Sequence, residues 1–329
     1  MILRRNLPER LNGNEASRLR HLRAADASGG SLFGKMKVDR SPTVLAALWM
    51  TGAIASFSFM AVAGRWLSEG YDTFEIMLYR SIVGVIVVFG CGAYFGTLRE
   101  VGLQKAPVQV LRNVAHFTGQ NLWFFAITVI PLAQVFALEF TSPLWILLLS
   151  PLFLGEKLTR PRVIAAVLGF IGILLVTRPG AAPMSIGVLT AALAAFCFAI
   201  TGILTKRLTR TESLTSIMVY LVVTQTVFGL VCAGWDGDIA LPDLANGPLL
   251  IAVGFAGLLA HFCLTKALSI APATVVTPID FARLPIIATL GMLVFGEALD
   301  PMVFAGAVLI FAGNYYNIWS ETRKAPVSG

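Results

Sequence analysis

Residues 126–179 and 267–320 are two versions of one sequence, held 141 residues apart throughout. The first reads AITVIPLAQVFALEF, LFLGEKL and AAVLGFIG; the second reads ALSIAPATVVTPIDF, LVFGEAL and GAVLIFAG. At that offset Pro131 matches Pro272, Val135 matches Val276, Phe140 matches Phe281, and Gly155-Glu156 matches Gly296-Glu297. The acids Glu139 and Asp280 also coincide. A doubled chain of this kind is expected to fold as two related halves, with any special site where they meet.

What the halves are made of follows from charge. Only 13% of the 329 residues are charged and 57% are hydrophobic, against about 25% charged in soluble domains. Ten apolar runs stand out, at about 43–64, 73–95, 108–128, 132–154, 161–178, 184–205, 213–234, 247–267, 273–295 and 301–320. Each is long enough, at about 1.5 Å per residue, to cross a ~30 Å hydrocarbon layer as a helix. The expected fold class is therefore an all-α integral membrane protein of ten transmembrane helices.

The formal charge of +7 could suggest nucleic acid, but its distribution removes that reading. With a cytoplasmic N-terminus, 21 Lys and Arg fall on inside segments, including Arg112, and two, Arg65 and Arg178, on outside loops. This is the bias of the positive-inside rule. The loop after Glu156 is basic (Lys157, Arg160, Arg162), whereas its copy after Glu297 holds Asp300 and no base. Five spans per half place the second half upside down, and the opposite loop charges agree with an inverted-topology repeat. The expected division is a basic cytoplasmic tail at 1–40, disordered or on the membrane surface, repeats at 41–180 and 181–320, and a cytoplasmic tail at 321–329. Cys91, Cys197, Cys232 and Cys263 lie in different spans without metal-site spacing and read as free thiols.

The first two spans of each half match more weakly, Phe57 and Phe59 falling on Phe196 and Phe198. With YRS around Arg80, the run LWFFAI…PLAQVFALEFTSPLW, the paired GE and a glycine-rich following span, the chain resembles the drug/metabolite transporter superfamily, in its group with two five-helix (EamA-type) repeats. The resemblance covers about 41–320. It implies a central cavity lined by spans one, three, four, six, eight and nine, alternating access, and scaffold or contact-surface roles for spans five and ten.

Charged side chains within a bilayer cost roughly 2.5–3.5 kcal/mol each on insertion scales and so face a partner or a wet cavity. The deep set is Arg80, Glu139, Asp280 and Arg283. Counting residues puts Glu139 and Arg80 about 10 Å below the outer surface, Asp280 about as far from the inner one, and Arg283 near the midplane. Glu139 serves a solute amine, takes a proton, or forms a static salt bridge with Arg80. Asp280 and Arg283, at i,i+3, share a helix face with Thr277 and can neutralise each other. Arg80 is a counter-ion or an anion site. Glu75 and Tyr79 read as solvated groups at the outer mouth.

In the third span Asn113, His116, Gln120 and Trp123 recur on one face. That stripe suits a cavity wall or hydrogen bonding between helices. Gln120 falls on His261 of the other copy, a symmetric placement that suits a site between repeats. Trp49, Phe57, Phe59, Trp145 and Phe198 stack on a solute ring or pack as core, core being the commoner fate. Glu156 and Glu297 are expected to organise helix ends. Gly169, Gly172, Gly306 and Gly313 suit close helix packing.

The function that fits is a secondary transporter for a small organic metabolite, with the bilayer and the solute as partners and a proton as candidate coupling ion. A homodimer is compatible; nucleic acid, cofactor and metal are not expected. No GxxxxGK[ST] loop supports an ATP-driven pump. A membrane enzyme using His116, His261, Glu139 and Asp280, or a channel, are the alternatives.

Overall fold

A computed structural model describes residues 42–154, 159–178, 185–271, 276 and 279–324. Pro272, Thr277, Glu156, the Pro179–Pro183 boundary and most of both tails lie outside them. Eleven α-helices occur among the described residues: α1 Pro42–Leu67, α2 Thr73–Tyr94, α3 Ala106–Val129, α4 Leu132–Glu139, α5 Ser142–Leu154, α6 Arg160–Thr177, α7 Ile186–Leu208, α8 Leu214–Ala233, α9 Gly247–Ile270, α10 Arg283–Phe295 and α11 Pro301–Lys324. The protein is all-helical, and eight segments are long and apolar enough to cross a membrane, α4 and the start of α5 counting together as one. Two of the ten expected runs differ for separate reasons. α3 has 24 residues but is too polar, because it carries Gln109, Arg112, Asn113, His116, Gln120 and Asn121. The run expected at 273–295 contains a turn, and only 13 residues of it form α10.

Helix packing follows a symmetric scheme. α1 lies against α9, α3 against α7, α2 against α8 and α6 against α11. Exchanging each helix for its counterpart in the other copy converts the first pairing into the second and leaves the last two unchanged. Phe124, Phe136, Ile127, Leu132, Leu138 and Leu284 are among the side chains fully buried at the centre.

Glycine sets the closest approach. A Cβ on Gly306 would stand 2.5 Å from the Gly172 carbonyl oxygen, and one on Gly172 would stand 2.6 Å from that of Gly306. Backbone is not a soft neighbour, so α6 and α11 touch only because both positions lack side chains. Gly306→Val is expected to push these helices apart and cost about 1–3 kcal/mol, as overpacking does. A lowered unfolding temperature in detergent checks this.

The end of α2 corrects one expectation. Glu75 is buried rather than solvated. It closes a capping box with Asp72, and its Oε1 accepts the Ala240 N–H at 2.5 Å. Tyr79 donates to the Ala240 carbonyl at 2.7 Å. Together they hold the acidic 234–246 loop against α2.

Candidate solute site between the two copies

Both copies interrupt a helix at the same place. α4 stops at Glu139 and α5 begins at Ser142; in the other copy Ile279 and Asp280 are helical, Phe281 and Ala282 turn, and α10 begins at Arg283. Proline explains the breaks. Pro143 has no N–H for the Glu139 carbonyl, which instead accepts the Ser142 hydroxyl at 2.6 Å. Pro285 likewise cannot serve the Phe281 carbonyl, which accepts the Leu284 N–H at 3.1 Å. Arg283 stands where the first copy has Ser142, so one copy of the break gained a cation.

That cation gathers the site. Arg283 Nη2 donates to Glu139 Oε1 at 3.1 Å and to Asp280 Oδ2 at 3.3 Å. Its guanidinium carbon lies 4.7 Å from the Phe57 ring centroid and 5.1 Å from those of Phe136 and Phe140. Trp123 Nε1 donates to the other Glu139 oxygen at 2.8 Å. The Arg283 side chain is 5% exposed, against 19% for Glu139 and 21% for Asp280. The acids are thus the accessible members.

Two expectations are corrected here. Glu139 pairs with Arg283, not Arg80. And Glu139 and Asp280, expected about 10 Å from opposite membrane surfaces, meet on one nitrogen. Arg80 makes its contacts elsewhere. Its Nη1 donates to Gln120 Oε1 and lies 3.6 Å from Met77 Sδ. Gly257 makes room for it, since a Cβ there would sit 2.7 Å from Nε and Nη2.

The stripe of α3 forms a buried polar column. Asn113, His116, Gln120 and Trp123 are at most 6% exposed. The His116 and His261 rings lie 6.2 Å apart, and Phe57 stands edge-on to His261 at 5.4 Å. Phe198 is 6.2 Å from His116. Phe57 and Phe198 therefore line the site as well as packing.

Sequence reasoning missed part of the column. Arg112, counted with the inside loops, is a buried member of α3 whose Nε donates to Thr205 Oγ1 and whose Nη1 donates to Asn113 Oδ1, both at 2.9 Å. Gln109, one turn earlier, is completely buried. The i,i+3/i+4 spacing from Gln109 onward was the available signal. Among the described residues, neither amide atom of Gln109, nor Asn113 Nδ2, nor His116 Nδ1 has a hydrogen-bond partner. Buried polar groups are seldom left unpaired, so this wall suits a polar solute.

α11, expected to serve as scaffold or contact surface, also reaches the candidate site: Asn314 Nδ2 donates to the Phe140 carbonyl at 3.1 Å, and Phe311 packs on Phe281. No group of three or more His, Cys, Asp or Glu among the described residues is arranged to hold a metal.

The sequence model of the EamA-like transporter family matches residues 44–178 and, again, 185–319. The chain belongs to the EamA-like transporter family. It is a multi-pass membrane protein and a transporter rather than an enzyme. Relatives include the S-adenosylmethionine uptake transporter of Rickettsia conorii, 28% identical over 84% of this chain and 92% of the relative. The riboflavin transporter of Brucella anthropi is 31% identical over 81% of this chain and 96% of its own. A solved crystal structure aligns over 86% of this chain and 99% of its own with a TM-score of 0.58 and 21% identity, a likeness of fold.

Proposed function

We propose that this EamA-like protein carries a small organic metabolite across the cytoplasmic membrane by alternating access, and that the solute binds among Glu139, Asp280, Arg283, Trp123 and the α3 column of Asn113, His116 and Gln120, with Arg80 and His261 at its side. The observation that carries the reading is the ion trio itself. It joins two broken helices, one from each copy, in a setting where charge is costly. The symmetric helix pairing supports two inverted five-helix repeats at 41–180 and 181–320, and loop charge supports cytoplasmic termini. Relatives that carry S-adenosylmethionine and riboflavin make ring-bearing metabolites the first solutes to try.

The test is uptake of labelled S-adenosylmethionine and of riboflavin into proteoliposomes holding the purified protein. Saturable uptake, accelerated by unlabelled solute on the far side, is expected. Unsaturable flux would indicate a channel, and no flux of either would remove these solutes.

Glu139 is the candidate proton site, because it is reachable while its neutral form keeps hydrogen-bond partners. Glu139→Gln is expected to leave a folded protein, since the amide oxygen can still accept from Trp123 or Arg283. Coupled flux should fall at least about tenfold, loss of a charge-assisted contact being worth roughly 1.5–3 kcal/mol before any coupling role. Wild-type flux with the wild-type pH dependence would sink the coupling role.

A further inference from the structure

Asp280 borders a cavity of about 140 Å³, none of whose lining residues belongs to α3. Its lining includes Phe140, Phe281 and Phe311, together with Leu264 and Pro143. Phe281 is central, with its centroid 5.0 Å from Phe140 and 4.5 Å from Phe311, at interplanar angles of 36° and 38°. Asp280 Oδ2 accepts from Arg283, but Oδ1 is buried and has no hydrogen-bond partner among the described residues. Asn314, also at the wall, uses its amide N–H on the Phe140 carbonyl.

Charge and chemistry narrow what this space accepts. The trio sets two carboxylates against one guanidinium, which leaves one negative charge when both acids are ionised. An anion would meet that charge and find rings and aliphatic side chains instead of donors. A purely apolar group would leave the carboxylate at the wall without a counter-charge from the occupant. A compact, strongly hydrated cation needs several acceptors, and the described wall supplies few. An alkylated cation needs only a counter-charge and ring faces, which attract it through the aromatic quadrupole. A cavity of about 150 Å³ holds a molecule the size of benzene, so the space suits a compact head group.

We propose that this cavity receives an onium head, a methylated ammonium or sulfonium group, of the transported solute. The proposal rests on the transporter reading and makes the trio's second acid a determinant of which solutes are taken. It also gives Asp280 a role distinct from that of Glu139: Asp280 recognises a fixed positive charge, and Glu139 serves the coupling step.

Thermal unfolding of the purified full chain with tetramethylammonium chloride, against sodium chloride at equal ionic strength, probes the cavity directly. Saturable stabilisation is expected. Its apparent Kd should weaken at least about tenfold in Asp280→Asn and recover in part in Asp280→Glu. Phe311→Leu keeps every charge and should weaken binding about three- to tenfold, the range for one ring–cation contact. S-adenosylmethionine should likewise bind more tightly than the thioether left when its S-methyl group is removed, and Asp280→Asn should erase that preference. Absence of saturable stabilisation by tetramethylammonium, or its persistence in both Asp280→Asn and Phe311→Leu, would overturn the assignment. Proteoliposome flux is read separately. Onium binding in a protein without saturable uptake counts against the transporter reading alone, and saturable uptake without onium binding counts against the cavity alone.

Discussion

Arg283→Met is expected to abolish solute flux and to lower the stability of the protein by about 3–5 kcal/mol, the usual cost of removing one partner from a buried ion pair. The geometry explains the size. Glu139 and Asp280 reach the same Arg283 nitrogen at 3.1 and 3.3 Å, so the bonded oxygens lie no more than about 6.4 Å apart. Without the guanidinium, two carboxylates at that distance repel by about 2–3 kcal/mol even at an effective dielectric near 20. Among the described residues, Trp123 Nε1 is then the remaining donor to Glu139. The cation's contacts with Phe57, Phe136 and Phe140 are lost as well. The triple variant with Glu139→Gln, Asp280→Asn and Arg283→Met removes the stranded charges and should regain most of the unfolding temperature in detergent while flux stays absent. That split separates a site that binds solute from a clamp that merely holds helices. Wild-type flux in the triple variant would make the trio structural.

How much of this site could be read beforehand depends on what each residue's position encodes. The 141-residue repeat matches Glu139-Phe140 with Asp280-Phe281, but each run reads as one unbroken span, and Pro143 and Pro285, one after each break, are the unused signal. The repeat could not supply the pairing. Counting residues from a membrane surface assumes straight helices, yet α4 has only eight residues and spans about 12 Å. Its end meets the other copy's broken helix, and the long arginine side chain closes what remains. Arg80 was visible as a deep cation, but its partner depends on Gly257 clearing space on α9, a contact between helices far apart in sequence. Arg112 and Gln109 were overlooked because a base near a helix start reads as a loop charge. Only tertiary packing, chiefly of α3 against α7 and α8, buries them.

The same limit applies to α11. A glycine-rich, apolar helix that pairs tightly with α6 has the sequence of a scaffold, and Gly172 and Gly306 serve that purpose. The opposite requirement, a ring and an amide aimed at the site, rests on Phe311 and Asn314, single residues in a run of similar ones. The glycines bring the α11 backbone close to α6, and α11 in turn brings Phe311 against Phe281. Packing and the proposed recognition of solute are therefore linked through one helix, and a change at Gly306 should be felt at the cavity beside Asp280 as well as in stability.

The second large effect is expected at Glu297, where the matched GE motif has its partners. Pro131 separates α3 from α4, so the last carbonyls of α3 and the first N–H of α4 lack helical partners. Arg65 and Glu297 supply them. Arg65 donates through Nε to the Ile127 carbonyl and through Nη2 to the Ile130 carbonyl at 2.6 Å, while Nη1 pairs with Glu297. Glu297 accepts the Leu132 N–H on both oxygens, at 3.1 and 2.9 Å. The Arg65 guanidinium also lies 4.7 Å from the Phe295 ring centroid. The signs agree with the helix dipoles, a cation at the end of α3 and an anion at the start of α4. Side-chain exposures of 14% and 12% keep water from replacing either partner cheaply. Glu297→Ala is therefore expected to cost about 3–5 kcal/mol, read as unfolding temperature in detergent. Reversing the pair, with Arg65→Glu and Glu297→Arg together, should be no more stable than either single change. It restores the attraction between the two side chains, but turns a carboxylate toward two carbonyls and a guanidinium toward an N–H. Recovery of wild-type stability in the reversed pair would mean that the ion pair alone carries the effect and that the helix ends do not need it.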